Sequence, residues 1–119
     1  MKTLNTFELS GIALDWAVAQ VQGNVLLQYD SREGLVINNA IGWIAYRPSV
    51  AWEQGGPIIE REKLDVCIHK PTHQWCAATQ SSADRFSRGY GPSPLIAAMR
   101  CYVTSKLGEH VDVPDELVL

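Results

Sequence analysis

Residues 93–108 constrain this chain more than any other stretch, because both ends of a helix are written into them. Ser93 stands where an N-cap belongs, Pro94 takes the first helical position, and Gly108 follows the last apolar residue. A capping hydroxyl, a ring that presets φ and a residue free to turn left-handed are the usual marks of a helix start and stop. Between them Leu95, Met99, Tyr102, Val103 and Leu107 recur at core spacing, so the pattern predicts a packed helix over Pro94 to Leu107. A second helix is predicted over Leu9 to Gly23. Ser10 can cap it, Leu9 and Leu14 are spaced as a hydrophobic staple, and Gly23 can end it. Its body from Ile12 to Ala19 carries one charge, Asp15, and a helix apolar nearly all round is buried on several sides. Asp15 therefore sits either on the one solvated edge or beside a buried cation.

Between the helices the chain reads as short strands. Val25 to Tyr29, Leu35 to Asn38 and Trp43 to Arg47 are β-branched or aromatic runs parted by Gly, Asp, Ser and Asn. Leu64 to His69 and Gln74 to Thr79 give two more, joined through Lys70-Pro71-Thr72-His73. Pro48 to Gly56 reads as a loop closing on Gly55-Gly56-Pro57, a strong turn signal. Ile58 to Glu62 fits either a strand or a helix start. Short connections favour antiparallel pairing, so the expected class is α+β: a small antiparallel sheet with an N-terminal and a C-terminal helix packed on it. At 119 residues the chain suits one domain over 1–119, with residues 109–119 an acidic tail that Pro114 confines to extended or turn shapes.

Hydrophobic residues make up 46% and charged residues 19%, against roughly 25% charged in an ordinary soluble domain. That deficit points to a homo-oligomer, in which a second copy covers part of the apolar surface. Ten Lys and Arg against thirteen Asp and Glu leave a net charge of −3. This disfavours nucleic-acid polymers, which demand a basic footprint, but allows a local cationic pocket. Three cysteines, an odd number, suit reduced thiols in a cytosol. Met1 to Asn5 leads into no apolar secretory core, and no run approaches the ~20 apolar residues of a membrane span. A soluble, intracellular protein is expected.

Two blocks suggest a binding pocket. One is Tyr46, Arg47, Trp52, Gly55 and Gly56. The other is the loop from Arg85 to Ser93, with Arg88 and Tyr90. Indole and phenol faces stack on bases, guanidinium groups fork onto phosphate oxygens, and glycines admit a close backbone. Free N–H groups at the helix start beside Ser93 add an anion site. The plain alternative makes the aromatics core, the glycines turns and the arginines solvated. Arg100, amid apolar neighbours, is either a further ligand contact or half of a structural pair with Asp15 or Glu60. Cys67, His69, His73 and Cys76 invite a zinc reading, but one residue between the first pair is fewer than structural sites use, so no metal or cofactor is assigned. Glu60 and Glu62 would share a face on a strand, as paired acids of a hydrolase do, yet no catalytic signature accompanies them or any Cys–His pair.

Taken in order, Leu9-Ser10-Gly11-Ile12-Ala13-Leu14-Asp15-Trp16-Ala17-Val18-Ala19, Tyr46-Arg47-Pro48-Ser49, and Trp52 with Gly55-Gly56-Pro57-Ile58-Ile59-Glu60-Arg61 resemble the phage NinX family. Trp75, Ala77 and residues 91–117 continue the likeness, while residues 24–42 match least and suit a variable hairpin. The resemblance implies a protein encoded in the nin region of lambdoid phages or prophages and working in the bacterial cytoplasm. The family has no assigned activity, so no catalytic residue carries over. The function expected is non-catalytic capture of an anionic, nucleotide-like small molecule, with an anti-defence role by analogy. A protein–protein adaptor and a phosphoester hydrolase are the alternatives.

Overall fold

Both helices read from the sequence form, in a computed structural model that describes residues 1–23, 27–30, 34–39, 42–82 and 85–118. Helix α1 spans Gly11–Gln22, α2 spans Trp52–Glu62 and α3 spans Pro94–Leu107. Ser93 caps α3 as expected, its hydroxyl accepting from the Ile96 N–H at 3.2 Å. Gly23 closes α1 in the left-handed region at φ 69°, whereas Ser10 occupies the N-cap without a side-chain bond.

The strands are β1 (Lys2–Asn5), β2 (Leu27–Asp30), β3 (Gly34–Asn39), β4 (Gly42–Ala45), β5 (Asp65–His69), β6 (Gln74–Ser82), β7 (Arg85–Gly91) and β8 (His110–Val113). Instead of one sheet they make three antiparallel ones: β1–β8, β2–β3–β4 and β5–β6–β7. Mixed α+β with antiparallel pairing is thus the architecture. Val25 and Asp84, and part of the 24–42 hairpin, lie outside the described residues.

Helix α3 is the hub. It packs on β6 and β7 on one side and against α1 and α2 on the other. Ala97, Ala98, Met99, Cys101 and Val103 are all at 0% exposure, and Leu14, Ala17, Val18 and Ala19 of α1 join them. In the 109–119 segment, Val111 and Val113 turn into the core while His110 and Asp112 face out, a period-two alternation that pairs with β1.

Two segments read as loops are regular structure. The Trp52–Pro57 stretch is the first half of α2, with Pro57 inside the helix. Packing overrides propensity here: Ile58 is 2% exposed, and a Cβ on Gly55 would lie 2.4 Å from the Pro48 carbonyl oxygen. Only a bare Cα lets α2 come that close to the turn before it. The Arg85–Ser93 stretch is β7 followed by the cap of α3. Its glycines belong to the sheet–helix contact: a Cβ on Gly89 would sit 2.4 Å from the Ala97 oxygen and 2.5 Å from the Cys101 nitrogen. Strand glycine marks a close backbone approach in this case, not flexibility.

Candidate functional site

Asp15 projects from α1 into a cleft of about 350 Å³ whose walls include Tyr29, Leu35, Tyr46, Arg47 and Ser49. The carboxylate is 3% exposed. Its Oδ1 accepts from the Ser49 backbone N–H at 2.8 Å. Burial raises its pKa from 3.8 to about 6, against the opposing pull of Ser49 and of the Arg47 cation. Ser49 itself is 1% exposed; its hydroxyl makes no well-formed hydrogen bond, yet it lies close enough to the Asp15 carboxylate to favour the charge there. A desolvated carboxylate and a buried hydroxyl thus stand side by side in one cleft.

The turn that carries Ser49 is held from two directions. The Tyr46 N–H donates to the Leu35 carbonyl of β3 at 2.8 Å. Gln54, one turn into α2, accepts from the Arg47 N–H at 2.5 Å and donates to the Ala45 carbonyl at 2.7 Å. Arg47 reaches solvent at the rim of the cleft. The Tyr46 hydroxyl accepts from the Gln22 side chain, and burial pushes its pKa to about 12, so the phenol stays protonated. Chemically, the cleft offers an acceptor in the carboxylate, a hydroxyl able to donate or accept, and a cation at the mouth.

The residues picked from sequence are dispersed over the molecule. Tyr46 and Arg47 line the Asp15 cleft. Trp52 opens α2 and is 55% exposed, and Gly55 and Gly56 lie within that helix. Arg88 and Tyr90 alternate with Gly89 and so face away from α3, on the outer side of the β5–β6–β7 sheet, where Tyr90 meets the His69 ring edge-on at 5.3 Å. Arg85 borders a separate polar cavity with Thr104, Lys106 and His110. Ser93 is occupied as a cap.

Arg100 forms neither expected ion pair. Its Nε donates to the Leu9 carbonyl and a terminal nitrogen to the Tyr90 carbonyl, each at 2.7 Å, so it ties α3 to the entrance of α1 and the end of β7. The reason is geometric: Asp15 turns to Ser49, and Glu60 lies exposed on α2. Glu60 and Glu62, being helical, diverge instead of sharing a strand face. Glu62 bonds Arg61 at 3.1 Å and Lys106 at 3.3 Å; burial opposes its charge, but those cations hold its pKa below the ordinary value. Cys67 and Cys76 oppose each other across β5 and β6, while His69 Nδ1 is 2.8 Å from the Thr72 hydroxyl. Among the described residues no three His, Cys, Asp or Glu gather to hold a metal.

Asp15 stood out in the sequence as the lone charge of an apolar helix, but neither the solvated edge nor the buried cation holds it. A backbone N–H does. Ser49 and Tyr29 escaped notice because a single hydroxyl after Arg-Pro and a strand tyrosine carry no local signature.

Fold and cleft define a mixed α+β protein with an open cleft that holds a buried carboxylate, Asp15, in its lining. No helix among the described residues is long and apolar enough to cross a membrane. The chain belongs to the phage family described as Bacteriophage P22, NinX, whose model matches residues 5–106. A comparison with curated proteins finds no match.

Proposed function

We propose that the protein is a non-catalytic binding module that captures a small, anionic, nucleotide-like molecule in the Asp15–Ser49 cleft. The observation that carries this reading is the buried Asp15 carboxylate beside a Ser49 hydroxyl that makes no well-formed hydrogen bond of its own. Leaving such a group unsatisfied costs about 1–3 kcal/mol, a penalty that a ligand edge bearing a donor and an acceptor removes. A nucleobase has such an edge. Tyr29, 48% exposed on the wall, offers it a flat face, and Arg47 at the rim is where a phosphate would be met. The volume falls at the small end of the ~300–1,000 Å³ typical of ligand pockets, which suits one nucleotide better than two. Within a phage-infected cell such a binder would act in the host cytoplasm by withdrawing a signalling nucleotide, the anti-defence role.

Homo-oligomerisation belongs to the same proposal. Trp43, Val50 and Trp52, each more than half exposed, offer apolar area for a second copy. Those residues equally favour the second reading, an adaptor that docks another protein. The test takes protein straight from host cytosol through light-scattering gel filtration and then denatures it. The expected result is an oligomer that releases an ultraviolet-absorbing nucleotide, with release lost in Arg47→Glu at unchanged melting temperature. Equal release from wild type and Arg47→Glu would sink the site. A nucleotide-free monomer that retains one partner protein would favour the adaptor.

A further inference from the structure

The outer face of the β5–β6–β7 sheet carries a thiol pair that the cleft does not use. Cys67 on β5 and Cys76 on β6 are direct cross-strand partners, and both are reduced. Directly opposed residues of an antiparallel pair share a face with Cα atoms about 4.5–5.5 Å apart. That separation lies inside the ~4.4–6.8 Å that a disulfide spans. The Cys67 thiol is close enough to Cys76 to help push its pKa up.

The two thiols differ in access. Cys67 is exposed, whereas Cys76 is 9% exposed. Tyr90, the register partner of Cys76 on β7, also reaches its sulfur, and the His69 ring packs against the Tyr90 edge. Burial pushes the Cys76 thiol pKa up, with Arg88 and Tyr90 opposing that rise. An oxidant arriving from solvent therefore meets Cys67 first, with a protonated thiol waiting beneath an aromatic cover. The third cysteine is out of play: Cys101 sits behind the sheet at 0% exposure, its thiol on the Ser87 carbonyl and its pKa near 12.

We propose that Cys67 and Cys76 form a reversible intrachain disulfide when the protein meets hydrogen peroxide, Cys67 being oxidised first and Cys76 resolving it. The Cys67 thiolate attacks one peroxide oxygen and the O–O bond breaks. The departing hydroxide takes up the thiol proton as water, leaving Cys67 as a sulfenic acid. The Cys76 sulfur then attacks the sulfenic sulfur, the S–O bond breaks, and that hydroxide leaves as water with the Cys76 proton. Two thiols lose two electrons to one peroxide, giving one disulfide and two waters; a dithiol reductant reverses the exchange. The bond locks the β5–β6 hairpin across its turn at Lys70 to His73. This assignment rests on strand register and stands whether or not the cleft holds a nucleotide.

The test treats the reduced full chain with hydrogen peroxide, traps remaining thiols with an alkylating reagent, and maps peptides by mass spectrometry. The expected product is a single chain lighter by two hydrogens, with a Cys67–Cys76 cross-linked peptide, Cys101 alkylated only after unfolding, and full reversal by dithiothreitol. Cys101→Ser should give the same product at the same rate. Cys76→Ser should instead leave oxygenated Cys67 and no intrachain bond. Wild-type oxygenation of Cys67 with Cys76 still free, a bond between two chains as the main product, or loss of the cross-link in Cys101→Ser would each overturn the assignment.

Discussion

Replacing Asp15 with asparagine should make the protein more stable, an unusual outcome for a buried polar residue. Burial holds the carboxyl near pH 6 in the folded chain, against 3.8 for the ordinary side chain. Between those values the folded state keeps a proton that the unfolded chain has lost, so acidification through this window favours the fold. Above about pH 6 the full penalty applies: at about 1.4 kcal/mol per pH unit it reaches about 3 kcal/mol. Asp15→Asn keeps an oxygen for the Ser49 N–H and can offer the Ser49 hydroxyl a donor, so it imitates the protonated acid. The variant should gain up to about 3 kcal/mol near pH 7.5, on the order of 10 °C in melting temperature, and the gain should vanish by about pH 4. Urea unfolding followed by tryptophan fluorescence at both pH values reads this directly. A variant no more stable than wild type near pH 7.5, or a difference that ignores pH, refutes the account of Asp15 as a charge whose burial outweighs its partners.

Two further substitutions test the packing. Gly89→Ala should cost about 3 kcal/mol in urea unfolding, because its Cβ meets helix backbone at 2.4 Å and 2.5 Å, atoms that cannot step aside. Gly56→Ala has a Trp52 ring carbon at 3.7 Å as its nearest neighbour beyond the adjoining residues, but its Cβ would crowd the Pro57 ring that follows, so the usual helix-interior gain of up to about 1 kcal/mol should be offset and stability should stay close to wild type in the same assay. Arg100→Met strips the donors from the Leu9 and Tyr90 carbonyls and should lose about 3 kcal/mol, with hydrogen exchange rising first at the start of α1 and the end of β7.

What could be read from the chain followed from how local each signal was. Helix α3 matched its expected span because Ser93, Pro94 and Gly108 act within a turn of their own positions. The first half of α2 was missed because its two glycines and Pro57 argue against a helix, while Ile58 to Glu62 fitted either a strand or a helix start; the close approach of Gly55 to Pro48 and Leu95 joins residues that no short window of sequence contains. The same holds for β7, where Gly89 and Gly91 looked like loop residues until α3 lay against them. Asp15 could be singled out as anomalous, since one charge among apolar neighbours is a local fact. Its partner Ser49 could not, because that bond spans 34 positions. Arg100 shows the same limit: a structural role was one of its two readings, with Asp15 or Glu60 as partner, yet its guanidinium is committed to two carbonyls, the nearer in sequence ten positions away.

Ligand capture in the cleft carries a pH signature that a protein–protein surface at Trp43, Val50 and Trp52 lacks. A ligand donor placed on Asp15 would be bonded more strongly by the ionised carboxylate than by the neutral acid, so binding and loss of the Asp15 proton would be linked. With Asp15 titrating near pH 6, apparent affinity should hold level above that value and fall below it, by at most about tenfold per pH unit, toward the weaker affinity of the neutral acid. Nucleotide retained through successive washes at about pH 7.5, 6 and 5 measures the slope, with overall unfolding monitored in parallel. Acid favours the fold as far as Asp15 is concerned, so release at pH 5 from protein that remains folded separates loss of binding from loss of structure. Asp15→Asn, which has no proton to exchange, should bind weakly and flatly across the range. If wild type retains nucleotide equally at pH 5 and pH 7.5, Asp15 does not touch it, and the ligand lies elsewhere on the molecule.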